Sequence, residues 1–199
     1  MAVFRSVIAS MVAVIFAENL IFGRGLGTSA LAAAAKKKGA LAGYSLSVIF
    51  MTAAANVLSW VTEYFFGDDA NYRYYQPVFY ICIISVLYFV MLFAMWKLKG
   101  DRFKQIRNYL HISAFNCAVM GVMLLTSDIC NSFAEYLVYG LLSGIGYAFA
   151  VFMVSAVCDR IYSDKAPRSF RGFPLLLIYI GILSMAFFVL TGHTLTFSY

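Results

Sequence analysis

The composition of this 199-residue chain excludes a soluble globular domain. The chain is 63% hydrophobic and 12% charged, with a mean hydropathy of +0.83, whereas soluble domains have about 45–50% apolar and about 25% charged residues. One soluble core of this size cannot bury so much apolar surface, so much of it must face lipid. The net charge of +6 does not indicate a nucleic-acid partner, because the basic residues lie in short gaps between apolar runs.

Apolar stretches along the chain predict an all-α membrane protein with six transmembrane helices. A bilayer core of about 30 Å requires about 20 apolar residues per helix. Six stretches approach this length: residues 3–23, 41–64, 75–97, 108–126, 133–158 and 173–192. The gaps between them are short, so residues 1–199 are predicted to form a single integral membrane domain.

The basic residues predict how the six spans are oriented. Thirteen of the 15 lie in residues 24–40, 97–107 and 159–172, which are the first, third and fifth loops. Lys and Arg are enriched in cytoplasmic loops, so these three loops are predicted to be cytoplasmic and both termini to lie outside the cytoplasm. The other side carries mainly acidic residues: Glu63, Asp68, Asp69, Asp128 and Glu135.

The chain divides into two predicted inverted repeats, about residues 1–100 and about residues 101–199. Each half has three spans, and the two halves enter the membrane from opposite sides. Inverted repeats place discontinuous helices and functional sites near the bilayer midplane. The first span of each half carries unusual polar residues, which are Glu18 and Asn19 in one half and Asn116 and Cys117 in the other.

The first span is predicted to be a broken helix. Glycines occupy positions 23, 25 and 27, and three glycines within five residues do not readily sustain a regular helix. Residues 30–35 are apolar again. Residues 1–35 therefore predict a helix, a break and a second short helical piece.

Several segments resemble the RnfA/NqrE family. Residues 116–122 (Asn-Cys-Ala-Val-Met-Gly-Val) are similar to its Asn-Cys-Ala-Val motif, and residues 166–172 (Ala-Pro-Arg-Ser-Phe-Arg-Gly) are similar to its Pro-x-x-Phe-Arg-Gly segment. Residues 139–140, 183–187 and 26–27 also match. The resemblance extends over the whole chain and is stronger in residues 108–192 than in residues 1–100.

The resemblance implies a multi-pass subunit of the bacterial inner membrane, not catalytic alone. Members of the family belong to ion-translocating electron-transport complexes, either the Rnf ferredoxin:NAD reductase or the sodium-translocating NADH:quinone reductase. The implied partners are a homologous six-helix subunit of opposite topology, other subunits of such a complex, and Na⁺ or H⁺. The two homologous subunits share a [2Fe–2S] cluster, to which each contributes one cysteine from its first span and one from its fourth.

The sequence departs from this pattern at one ligand. Cys117 matches the second family cysteine, but the alignment of residues 26–27 places Ser29 where the first cysteine is expected. A serine alkoxide is a harder and poorer iron ligand than a thiolate. Three alternatives stay open: three thiolates plus Ser29 hold the cluster, another residue replaces the cysteine, or this is a cluster-free paralogue acting as a secondary transporter or structural subunit.

Each candidate residue also has a structural interpretation. A lone helical cysteine is commonly a buried small apolar residue, although the family motif favours Cys117 as an iron ligand. Glu18, an acid predicted inside the membrane, could serve ion passage or pair with Arg24. Asn19 and Asn116 are candidates for an ion pathway, but the role of satisfying backbone groups freed by helix breaks is favoured.

Overall fold

The structure is a computed structural model that describes residues 15–16, 19–35, 41–67, 71–98, 103–163, 167 and 169–190. Its regular elements in these residues are seven helices. In chain order they are α1 (Thr28–Ala35), α2 (Leu41–Phe66), α3 (Tyr72–Leu98), α4 (Phe103–Ala114), α5 (Cys117–Ile129), α6 (Phe133–Ile161) and α7 (Phe173–Leu190).

Four segments of the described chain are long and apolar enough to cross a membrane. They are α2, α3, the α4–α5 segment Tyr109–Ile129, and α6. They correspond to the second to fifth predicted spans, and the shorter apolar helix α7 lies in the sixth. The first predicted span lies mostly outside the described residues. The orientation of the chain and the inverted repeat stay predictions.

Helices α3 and α7 carry rows of large apolar side chains on their outer faces. On α3, Phe89 and Phe93 are exposed, and on α7 Met185 and Val189 are exposed. Soluble monomers rarely expose contiguous apolar patches of this kind. These faces therefore suit contact with lipid or with another membrane protein.

The core of the molecule is the antiparallel pair α2 and α6. Glycines on α6 permit close contact between these two helices, because a Cβ on Gly144 would lie 2.8 Å from Ile49 Cα of α2. Small residues allow this approach of two backbones within a membrane. One buried cluster joins α2 to α1, α6 and α7, and a second joins α2 to α3, α4 and α5. Helix α2 therefore lies between the two clusters.

The predicted break in the first span is confirmed. Ile15 and Phe16 are helical, residues 19–27 form turns, and α1 begins at Thr28. Gly25 has φ +68° and Gly27 has φ +79°, a backbone conformation that glycine adopts without the steric penalty of a Cβ.

The fourth span is also discontinuous, which corrects its prediction as the single stretch 108–126. Helix α4 ends at Ala114 and α5 begins at Cys117. Asn116 has extended dihedral angles, φ −102° and ψ 126°, so the helix restarts rather than bends. Each of the two polar segments noted in the sequence therefore lies at an interruption of a span.

Candidate functional site

Two asparagines satisfy backbone groups at the two interruptions in the same way. Asn116 caps α5, and its Oδ1 accepts a hydrogen bond from the Ala118 N–H at 3.0 Å. The Oδ1 of Asn19 accepts from the Ile21 N–H at 3.0 Å and from the Phe22 N–H at 3.3 Å. At the start of a helix or turn, these N–H groups have no preceding carbonyl of the same helix to bond to. The predicted backbone role of both asparagines is thus confirmed, and their place in an ion pathway stays a prediction.

The interrupted first segment is anchored to helix α6. The Nδ2 of Asn19 donates to the Gly146 carbonyl of α6 at 2.8 Å and to the Ile15 carbonyl at 3.0 Å. On the other side, the Ser184 hydroxyl of α7 donates to the Phe22 carbonyl. The segment that leads to Gly27 is therefore fixed between two helices.

The two interruptions meet at Cys117. The Gly27 N–H donates to Cys117 Sγ at 3.0 Å, and the Leu26 side chain fills the space where Gly121 lacks a Cβ. Helix α1 starts one residue after Gly27, and α5 starts at Cys117 itself. The N-termini of two helices thus converge, and their partial positive charges favour a negatively charged group between them.

A buried pair of tyrosines connects the two interruptions. The Tyr147 hydroxyl donates to the Gly27 carbonyl at 3.0 Å and lies 3.0 Å from the Tyr44 hydroxyl. Because Tyr147 uses its one proton on Gly27, Tyr44 must donate to Tyr147. Tyr44 in turn accepts from Asn116 Nδ2 at 3.4 Å. One chain of hydrogen bonds therefore runs from the cap of α5 to the start of α1.

The site lies at half the height of the longest helix. Tyr147 is the central residue of α6, which spans 29 residues. Tyr44 and Tyr147 were not predicted as site residues from the sequence. A tyrosine inside an apolar helix is nevertheless a usable signal, since its buried hydroxyl needs a hydrogen-bond partner. Both side chains are at most 1% exposed.

The two predicted ligand positions lie on the surface of the chain. Cys117 is exposed as the first residue of α5, and Ser29 is exposed as the second residue of α1. In the single chain, Cys117 is therefore not a buried residue in the middle of a helix. Glu18, the third candidate of the first span, lies outside the described residues.

The described part of this chain does not itself surround a metal ion. It contains no group of three or more His, Cys, Asp or Glu side chains arranged to hold one. The four cysteines form no disulfide with one another: Cys158 is buried, Cys130 is half-buried, and Cys82 and Cys117 are exposed.

Comparison with known proteins identifies the family. The family model described as "Rnf-Nqr subunit, membrane protein" matches residues 7–194. The chain belongs to the Rnf-Nqr family. The predicted family resemblance is thus confirmed over nearly the whole chain, and the chain is a membrane protein with several apolar helices.

Relatives in this family are similar over almost their full length. The chain is 26% identical to a subunit of the Na⁺-translocating ferredoxin:NAD⁺ oxidoreductase complex of Acetobacterium woodii, over 93% of this chain and 96% of the relative. It is 25% identical to a subunit of the ion-translocating oxidoreductase complex of Shewanella denitrificans, over 92% and 95%. The corresponding protein of an Azoarcus species is 26% identical, over 89% and 92%.

Replacing Asn116 with alanine is expected to lower the thermal stability of the protein. The substitution removes the cap of α5 and the hydrogen bond to Tyr44, and loss of such a cap costs about 1 kcal/mol. The unfolding temperature of the purified protein should fall by about 2–4 °C. Asn116→Ser keeps an oxygen that can cap the helix and should recover most of the loss; equal losses in both variants would contradict the capping role.

Proposed function

We propose that this chain is a membrane subunit of an ion-translocating electron-transport complex of the Rnf type. The observation that carries the proposal is the exposed Cys117 thiol, which accepts the Gly27 N–H at the junction of two helix N-termini. Its motif is the one that resembles the family's cysteine motif. The names of the relatives, each of them one component of an ion-translocating oxidoreductase complex, support the same function.

The donor set fits one half of a shared [2Fe–2S] cluster. Such a cluster takes four ligands, usually thiolates. Cys117 and Ser29 lie at two adjacent helix starts and both are exposed, so a homologous subunit of opposite topology could add two more ligands. When bound, the cluster would supply a one-electron carrier inside the membrane.

The Cys117 sulfur has a backbone hydrogen-bond donor beside it. The Gly27 N–H is a donor to the sulfur, and hydrogen bonds to sulfur ligands tune the reduction potential of an iron–sulfur centre. The tyrosine pair holds the same Gly27 through its carbonyl. The position of this donor is therefore fixed from two sides.

The same contacts offer a route from electron transfer to ion movement. Gly27 belongs to the interrupted segment that Asn19 anchors on α6. A change of charge at Cys117 changes the attraction on the Gly27 N–H, and with it the balance of forces on that segment. We propose that the segment moves in response, and that this movement couples electron transfer to the passage of Na⁺ or H⁺ between the two repeats.

The test is iron analysis and electron paramagnetic resonance spectroscopy of the whole complex, purified through a tag on this chain. We expect a reduced [2Fe–2S] signal in the wild-type complex that is lost in Cys117→Ala. Because other iron centres can be present in the complex, only the difference between the two proteins is informative. An assembled complex without a Cys117-dependent signal would overturn the relay function.

That second outcome would favour the cluster-free alternative. The observation in its support is Ser29, which stands where the family has its first cysteine. The chain would then act as a secondary transporter or as a structural membrane protein of the complex. Solute uptake by vesicles that contain this chain without other proteins would identify the transporter.

Ser29→Cys is expected to raise the midpoint reduction potential of the cluster signal. An alkoxide is a harder donor than a thiolate and stabilises ferric iron, so its replacement by sulfur favours the reduced state. Redox titration of the signal, compared between the wild-type complex and the variant, measures the shift. Thr28→Ser, a conservative change one residue away, serves as the control. An unchanged potential in Ser29→Cys would show that residue 29 is not a ligand.

A further inference from the structure

A second polar site lies near the far end of α2 from Tyr44. A cavity of about 200 Å³ opens there between α2, α5 and α6, lined by Trp60, Glu63, Tyr64, Ser127, Cys130, Asn131 and Tyr136. Tyr136 and the central Tyr147 are eleven residues apart on α6, which corresponds to about 16 Å along the helix axis. The cavity is therefore distinct from the Cys117 site.

Glu63 lines this cavity, and hydrogen bonds fix the orientation of its carboxylate. Its Oε1 accepts from Gln76 Nε2 at 2.9 Å and from the Tyr80 hydroxyl at 3.3 Å. In the described part of the chain both hydrogen bonds end on Oε1, which leaves Oε2 available. The nearby Arg73 forms an ion pair with Asp128 at 3.1 Å.

We propose that this cavity binds a hydrated alkali cation, with Glu63 as its charged ligand. Hard cations take oxygen ligands, and the Ser127 and Tyr136 side chains that line the cavity bring hydroxyl oxygens. One carboxylate balances one positive charge. A bound water needs at least about 10–15 Å³ of accessible space, so the cavity has room for a cation that keeps part of its water shell.

Buried polar groups extend from this cavity along the α2–α6 contact towards the Cys117 site. The Asn56 amide of α2 donates to the Tyr136 carbonyl at 2.7 Å. Asn56 Oδ1 and Ser143 Oγ, between the two sites, are buried without a hydrogen-bond partner in the described structure. Such atoms are rare in proteins, and water or an ion is one kind of partner that can satisfy them.

The position of the cavity assigns it a role in transport that rests on the proposed function. Glu63 lies near the end of α2 that the charge pattern predicts to face away from the cytoplasm. The transported ion would then enter or leave the protein through this cation site, on the side away from the cytoplasm. The existence of the site itself depends only on the local geometry around Glu63.

Alkylation of Cys130 tests the cation site directly, because this thiol lines the same cavity. The intact complex in detergent is treated with a small maleimide in NaCl or in choline chloride at equal ionic strength. Mass spectrometry then gives the rate for each cysteine separately. Burial, and secondarily the charge of Glu135, raise the pKa of the Cys130 thiol, so the reaction is run at mildly alkaline pH.

Na⁺ is expected to slow the alkylation of Cys130 and not that of Cys82. At a Na⁺ concentration ten times the dissociation constant, the free fraction of the site falls to about one tenth, so the rate should fall by up to about tenfold. Glu63→Gln should remove this protection, whereas Asp159→Asn, which changes an exposed carboxylate near the other end of α6, should keep it. Equal rates in NaCl and choline for the wild type, or unchanged protection in Glu63→Gln, would overturn the proposal.

The iron signal of the same samples separates this proposal from the proposed function. Glu63→Gln should retain any Cys117-dependent signal, since the two sites are distinct. Loss of Na⁺ protection with the signal intact supports the cation site. A wild-type complex that shows Na⁺ protection but no Cys117-dependent signal would keep the cation site and overturn the relay function.

Discussion

Cys117→Ala is expected to abolish electron transfer through this protein. Loss of a hydrogen-bonding partner in the shell around a metal ligand already costs about 10–100-fold in affinity or activity, so removal of Cys117, the proposed ligand, should cost more. The folded chain should tolerate the change, because Cys117 is exposed and alanine is a good residue in a helix. The measurement is donor-to-acceptor electron transfer by the intact complex, together with ion uptake by vesicles that contain it.

Two further cysteine variants distinguish the loss of a ligand from a general effect. Cys82→Ala replaces another exposed cysteine, on α3 and outside the site, and should leave both activities unchanged. Cys117→Ser retains an oxygen ligand and should preserve more of the iron signal than alanine does. If Cys117→Ala assembled normally and kept wild-type electron transfer, Cys117 would not be part of the relay.

The sequence was sufficient to predict the spans that are described, because in lipid the length and hydrophobicity of a segment determine whether it can cross. The break before α1 was predictable for a local reason. Glycines at 23, 25 and 27 remove the side chains that disfavour other conformations, and two of them, Gly25 and Gly27, have positive φ. Local chemistry alone accounts for this feature.

The interruption of the fourth span was harder to predict, because residues 108–126 are nearly as apolar as an unbroken helix. Hydropathy reports the cost of transfer into lipid and does not report helix continuity. In the structure, Asn116 Oδ1 accepts a hydrogen bond from the Ala118 N–H, which the helix break leaves without a helical partner. The Asn116 amide nitrogen donates to the Tyr44 hydroxyl. These contacts depend on residues up to 72 positions apart, which no local pattern contains.

The convergence of Gly27 and Cys117 is a tertiary result of the same kind. The sequence marked each segment as unusual but did not place them together, since they lie 90 residues apart. Glu63 was noted only as one of the acids that fit the orientation. Its site depends on Gln76 and Tyr80 from α3, and so it too becomes visible only once the helices are packed.

Gly27→Ala is expected to be much more destabilising than Gly25→Ala, although both glycines have positive φ. An L-residue in this conformation costs about 1–2 kcal/mol, and both variants incur that cost. At Gly27 the new Cβ would also lie 2.6 Å from Tyr147 Cε2 and 2.7 Å from Asn116 Oδ1, whereas at Gly25 it would have no atom within 4 Å. Overpacking of this kind costs about 1–3 kcal/mol in addition.

The pair of variants therefore separates backbone strain from the packing of the site. The unfolding temperature should fall by about 2–4 °C per kcal/mol, so Gly27→Ala should lose about twice as much as Gly25→Ala. Displacement of Gly27 also moves its N–H away from Cys117 Sγ, so a cluster signal should shift or broaden only in Gly27→Ala. Equal destabilisation, with unaltered spectra in both variants, would mean that the close contact of the two interruptions does not govern the site, because the variants share the strain and differ only in that contact.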